Sequence, residues 1–424
     1  MIRQQKSTER RAVAIGSNPE RNRAHNRRVV LEVIRVHGHL GRTEIARHAH
    51  LTPQAVANIV DELIGEGMLI ELGRLRSGRG QPPIQFAFNP DGPLTAGVEV
   101  AADHMVTVLL DLAGGLRAEA ITPLERADPG HVPQRIAEEI ATLRARLDSA
   151  VPRLLGVGVV MPGPFEIEGM SSVGPATLPG WTGIDAAPLI AEATGEAVAL
   201  DNDATAAAVG ERLYGAGRQI GSFCYLYFGV GLGLGVIQDG RPLRGAFGNA
   251  GEIGHVVLAP RNRAVSYGPE GALERVASVF ALRERLAAAG LKAGSIDALH
   301  ALFASRNAVV TAWIEEAADH LAPAVAMLEN IFDPETVIFG GGLPDAVLDA
   351  VIAALEPLPV SVATRRNRAL PRVMRGQTGQ LTAALGAAAL PLLDTVSPHL
   401  SVAPPPSRPM RLVQNTFHNG KAPC

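Results

Sequence analysis

The sequence predicts an α/β protein in two unequal parts, an expectation resting on three features. Strand-like and helical patterns alternate from Leu94 onward, glycine-rich turns at GVGVVMPGPFE, GVGLGLGVIQDG and VIFGGGLPD punctuate them, and three amphipathic helical patterns come before them. A length of 424 residues accommodates two or three domains of ~150 residues each. With 47% hydrophobic, 19% charged and 4% aromatic residues the chain can bury a sizeable core, which excludes a predominantly disordered protein. Of its two cysteines, Cys224 lies in an apolar run and Cys424 is the last residue, so neither a disulfide framework nor a CxxC metal cluster is expected. The first 20 residues lack the apolar core of a signal peptide, and no later run reaches the ~18 apolar residues of a membrane span. A reducing, cytoplasmic setting without a membrane partner follows.

The elements of the smaller part follow from local pattern. Residues 1–20 read as a flexible basic arm. Val30, Val33 and Ile34 and then Ile45, Ala46 and Ala49 recur at helical spacing between Arg21 and His50, separated by Gly38 and Gly41. A third helix is predicted from Thr52 to Ile64: Thr52 is a good N-cap, and Pro53 sits at the first helical position, where its missing N–H costs nothing. Val56, Ile59, Val60, Leu63 and Ile64 form its apolar stripe, leaving Gln54, Ala57, Asn58 and Asp61 on the outer face. Leu69 to Leu72 and Ile84 to Phe88 are strand candidates around the loop GRLRSGRGQPP. Three helices and a basic two-stranded ribbon make a winged helix-turn-helix over residues 21–90, closed off by Pro90-Asp91-Gly92-Pro93.

Charge agrees with this division. Residues 1–90 hold 14 Lys and Arg against 8 Asp and Glu, a balance of +6, while the remainder carries −9. A basic head on an acidic body suits double-stranded DNA as the head's partner. In a helix-turn-helix the second helix of the pair enters the major groove. Gln54 and Asn58 can pair bidentately with adenine there, and Ala57 can meet a thymine methyl. Arg42, Thr43 and Arg47 on the preceding helix are expected at phosphates, fixing register without reading bases. Arg74, Arg76 and Arg79 of the wing are expected in a narrow minor groove, where the negative potential is deepest.

From residue 94 to residue 395 the chain reads as an α/β body with at least two sheets, and residues 396–424 as a proline-rich disordered tail. Within the body, Phe223 to Ile237 carries glycine at alternate positions over part of its length, which suits a strand-turn-strand cradle.

Six segments, RTEIARHAHLTPQAVANIVDELIGEGMLIELG, the wing's GRGQPP, VGVVMPGPFE, ALDNDATAAAVGE, GVGLGLGVIQDGRPLRGAFGNAGEIGH and DPETVIFGGGLP, stand in an order that resembles the ROK family (repressor, open reading frame, kinase), in its transcriptional-regulator branch. The resemblance runs from about Arg23 to about Leu393. It implies a two-lobed, actin-like body of the ribonuclease H and sugar-kinase type, assembled as a homodimer or homotetramer and controlled by a sugar or sugar derivative.

The resemblance also implies a site. Asn202 and Asp203 match the family's sugar-binding asparagine and catalytic aspartate, and Glu252, His255 and Glu274 match its remaining sugar contacts. Taken singly, Asn202 and Asp203 could be only a helix cap; together the five suit a polyol rich in O–H donors. The phosphate side departs from the pattern. Where kinases carry a DxGGT-type turn this chain has GVEVAADHM, with Glu99 and Asp103 as the nearby acids, and Val230 replaces the threonine of the second phosphate loop. Gly340, Gly341 and Gly342 resemble the adenosine-side turn, but also suit a tight strand-to-helix connection. Val265, Tyr267 and Ala272 stand where the family's zinc thiolates would be, so no metal is expected and His255 needs another orienting neighbour. The resulting expectation is a regulator without catalytic residues or cofactor, with a bifunctional ATP-dependent sugar kinase as the alternative and a body serving only assembly as a second.

Overall fold

The computed structural model describes residues 19–74, 83–147, 153–163, 178, 180–181, 183–258 and 271–396. The expected arm up to residue 18, Arg76 and Arg79, Val265 and Tyr267, and the expected tail from residue 397 lie outside these residues. Of Arg74 only the backbone is described.

The chain opens with α1 (Pro19–His37), β1 (His39–Gly41), α2 (Arg42–Ala49), α3 (Pro53–Gly65), β2 (Leu69–Arg74) and β3 (Ile84–Phe88). The Thr52 hydroxyl accepts from the Ala55 backbone N–H at 3.2 Å and so caps α3, an arrangement worth about 1 kcal/mol. Val56, Ile59, Val60 and Leu63 face inward to meet Val30, Leu31, Ile34 and Ile45. The strands form one antiparallel sheet in the order β1-β3-β2. β1 was not expected, because three residues are too few to show alternation. Its Leu40 pairs with Phe86, while Gly38 makes the actual turn with a φ of 80°. Arg27 on α1 bonds to Glu62 at 3.0 Å and to Glu66 at 2.6 Å, tying α1 to α3.

The body contains two five-stranded sheets of one design. The first is built from β4 (Leu94–Val100), β5 (His104–Asp111), β6 (Leu116–Pro123), α4 (Val132–Ala145), β7 (Leu154–Met161), α5 (Ala186–Thr194) and β8 (Val198–Asn202), in the order β6-β5-β4-β7-β8. After α6 (Asp203–Tyr214) come β9 (Phe223–Phe228), β10 (Leu232–Gln238), β11 (Arg241–Pro242), α7 (Glu274–Ala277), α8 (Val279–Ala288), α9 (Ile296–Ala304), α10 (Ala308–Phe332), β12 (Thr336–Gly341), α11 (Asp345–Ala354) and β13 (Val373–Arg375). The second sheet runs β11-β10-β9-β12-β13. Each is an antiparallel three-stranded meander extended by two parallel strands. This duplicated pattern is the two-lobed architecture expected, and β9 and β10 are the glycine-flanked hairpin read from Phe223 to Ile237.

The closing helix α12 (Thr382–Val396) returns to the first sheet. A Cβ on Gly97 of β4 would strike the Ala384 carbonyl, and one on Gly158 of β7 the Ala387 carbonyl, so α12 lies directly on the strand backbones. α6 covers Gly233 and Gly235 of β10 in the same way. The two helices meet between the sheets where a Cβ on Gly386 would collide with the Ala206 carbonyl and one on Gly210 with the Thr382 carbonyl. At its far end α12 places Leu392, with Leu112, in the apolar core of the N-terminal helices. Head and body therefore share buried contacts. Among the described residues no helix is long and apolar enough to cross a membrane.

Candidate ligand pocket and nucleic-acid face

A cavity of about 430 Å³ opens between the lobes, and all five residues expected at a sugar, Asn202, Asp203, Glu252, His255 and Glu274, line it. It lies at the carboxyl ends of the parallel strands β4, β7 and β8, where crossovers leave a crevice between connections. Asn202 ends β8 and caps α6, its Oδ1 accepting from the Thr205 N–H at 3.1 Å. Asp203 accepts from the Ala204 N–H at 2.7 Å. The cap reading and the pocket reading thus hold together: capping fixes the two side chains at the pocket wall and leaves the other Asp203 oxygen and the Asn202 amide for a ligand. Asp201 steadies the junction, accepting from the Asn202 N–H at 2.9 Å and from Arg244 at 2.6 and 3.1 Å.

The opposite wall comes from the second lobe. Glu252 precedes the short helical turn Ile253–His255, which His255 ends, and Glu274 opens α7. His255 Nε2 lies 3.7 Å from Glu252 Oε2, and its proximity lowers the carboxyls of both Glu252 and Glu274 against the effect of burial. Two glycines permit the approach. A Cβ on Gly163 would sit 2.8 Å from both Asn202 Nδ2 and Glu252 Oε1, and one on Gly254 3.0 Å from Glu274 Oε2.

Burial dominates the electrostatics. It pushes the Asp203 carboxyl up to about 8, helped by the nearby charges of Glu99 and Glu252. Burial also raises Glu252, Glu274 and Glu99, the last opposed by a hydrogen bond from the Tyr227 hydroxyl at 2.5 Å. Near neutral pH the pocket thus contains one carboxyl, Asp203, able to donate as well as accept, beside others that accept, a set matched to sugar hydroxyls.

Ala101 and Ala102 follow β4 where a glycine pair would let the backbone approach, Val230 lines the cavity where a hydroxyl would act, and Glu99 is engaged by Tyr227. Gly340 and Gly341 pair with Tyr227 and Phe228 of β9, and a Cβ on Gly341 would meet the Phe228 carbonyl at 2.7 Å, so strand packing accounts for them. Cys224 is buried in β9, Ala272 is buried where a thiolate would stand, and no group of three or more potential ligands exists among the described residues.

Sequence reasoning missed Tyr227, Gly163, His104 and Arg283, all of which line the cavity. Tyr227 sits in a fully buried strand with no pattern to mark it, and Arg283 reaches the site from a helix 180 residues from the acid it contacts. Glu99, noted only as a nearby acid, could have been marked by its place at the end of the matching strand.

At the head, Gln54 and Asn58 are exposed on α3 and bond to each other at 3.0 Å, with Ala57 half-buried between them. Thr43 and Arg47 are exposed on α2, Arg47 lying 3.2 Å from His48. Arg42 differs from a free phosphate ligand: it contacts Asp61 at 2.5 Å and its guanidinium lies 5.1 Å from the centre of the Phe86 ring. The structure brings Thr43, Arg47, Gln54 and Asn58 to exposed positions of adjoining helices. The side chain of Arg74, and Arg76 and Arg79 of the wing, lie outside the described residues.

Comparison with known proteins agrees with this geometry. Residues 95–392 match the ROK family. A xylose repressor of Caldicellulosiruptor bescii is 29% identical over 329 residues, covering 74% of this chain and 82% of the relative. A glucokinase of Thermotoga maritima is 37% identical over 205 residues, which span 45% of this chain and 64% of the enzyme. Among solved structures, a ROK family transcriptional regulator homologous to the Escherichia coli Mlc protein superposes with a TM-score of 0.67 at 22% identity, over 89% of this chain and 98% of that one. The chain belongs to the ROK family.

Proposed function

We propose that this protein is a sugar-responsive, DNA-binding transcriptional repressor whose former kinase pocket binds its effector without reacting with it. Residues 21–90 act as a winged helix-turn-helix: α3 offers Gln54, Ala57 and Asn58 to base edges, Thr43 and Arg47 meet phosphates, and Arg74, Arg76 and Arg79 extend the contact into the minor groove. The body, residues 94–395, holds the sugar through Asn202, Asp203, Glu252, His255 and Glu274, and pairs with further copies so that two heads meet half-sites about one helical turn apart. The cytoplasm, where its operator lies, is the setting this role requires.

The observation that carries the reading is the continuous path from pocket to head. Asp203 begins α6, α6 crosses α12 at glycines too tight to slide freely, and α12 ends in the head's core at Leu392. A ligand that prefers one lobe arrangement can then shift head spacing, lowering operator affinity by the ratio of its affinities for the two states.

Calorimetric titration with a panel of pentoses, hexoses and N-acetylated hexosamines tests the sensor. Saturable binding that Glu252→Ala weakens at least tenfold is expected; absence of binding across the panel contradicts it. Sugar phosphorylation in an ATP-coupled assay, abolished by Asp203→Asn, would instead establish the bifunctional kinase.

A further inference from the structure

Five carboxyl groups, Glu99, Asp103, Asp203, Glu252 and Glu274, line the described cavity, and Arg283 is its one permanent cation among the described residues. That cation is already engaged. Its Nη1 lies 3.3 Å from Asp103 Oδ2, and its Nη2 donates to the Gly294 carbonyl at 3.1 Å. On its other side Asp103 is 2.6 Å from the His104 ring. Asp103 sits in the turn between β4 and β5 of the first lobe and Arg283 on α8 of the second, so their ion pair crosses the mouth of the cleft. By the resemblance described above, this turn corresponds to the DxGGT-type turn of the kinases. An acid there repels a phosphate and also neutralises the arginine that would receive it.

Resting on the proposed sugar-sensing role, we infer that Asp103 is a specificity-determining residue: braced by Arg283 and His104, it bars phosphorylated sugars, so that the effector is an unphosphorylated one. A neutral sugar meets no such barrier, because its hydroxyls pair with the carboxyls whichever proton state they hold.

Titration of the full-length protein with xylose, glucose and N-acetylglucosamine, each beside its terminal phosphate ester, tests this. The wild type is expected to bind one free sugar at least tenfold more tightly than the ester. Asp103→Asn should cut that preference at least fivefold by improving ester binding, with affinity for the free sugar changed less than threefold. Arg283→Gln removes the opposite charge and should leave the preference intact or increase it. A disturbance of shape alone would move both variants in the same direction, so parallel effects overturn the inference, as does equal or tighter ester binding by the wild type. Failure of the wild type to bind either form overturns the sensor reading, and this inference with it, an outcome distinct from preference for the ester.

Discussion

Asp203→Asn offers a quantitative test of the pocket's electrostatics. The Asp203 carboxyl, ordinarily at 3.8, is raised to about 8 chiefly by burial and next by the Glu99 charge. A folded state that holds a proton more tightly than the unfolded chain is most stabilised below the unfolded value and loses that stabilisation as pH rises through the folded one. Between about pH 4 and pH 8 the loss from one such group amounts to about 1.4 kcal/mol per pH unit. From pH 6 to pH 8 the wild type should therefore lose about 2.3 kcal/mol from this residue. Asparagine cannot titrate, keeps the acceptor oxygen for the Ala204 N–H and removes this contribution. Urea unfolding at half-unit pH steps measures it. Parallel stability curves for the two proteins across pH 6 to 8 would refute a buried, protonated Asp203.

Three further outcomes follow from the same geometry. Leu392→Ala leaves a cavity in the core shared by α12 and the N-terminal helices, and should cost about 2–4 kcal/mol in urea unfolding while reducing the sugar's effect on operator affinity more than its binding. Arg47→Ala should weaken binding to all duplexes similarly and reduce the slope of log affinity against log salt by about one, measured by fluorescence anisotropy. Asn58→Ala should cost about 1–3 kcal/mol on the cognate operator and relax preference at one base pair, read from binding to single-substituted duplexes.

What the sequence made legible was whatever local chemistry dictates. Thr52 and Pro53 fixed the start of α3, its apolar stripe fixed the buried face, and the Asn202-Asp203 junction was visible because a strand-to-helix turn must place both residues at a strand's carboxyl end. That those two residues, Glu252, His255 and Glu274 meet in one cavity was expected from resemblance, since nothing in local spacing joins residues so far apart. β1 escaped because its pairing with β3 is a tertiary event with no periodic trace. Tyr227 reaches Glu99 only through the lobe-to-lobe packing that brings β9 toward β4, and hydropathy reads it as one more apolar strand residue. Arg42 was assigned to phosphate on charge alone, whereas Asp61 and Phe86 compete for its guanidinium, a competition set by how α2 lies on α3 and β3.

The central claim is that occupation of the interlobe pocket changes the grip of the N-terminal helices on DNA. Its most direct test is fluorescence anisotropy of the full-length protein on a duplex from its own promoter, at fixed salt, with and without the sugar found by calorimetry. The account predicts tight binding of the free protein, a fall in affinity of at least fivefold at saturating sugar, and no such fall in Glu252→Ala. Identical affinity with the pocket filled and empty would contradict it.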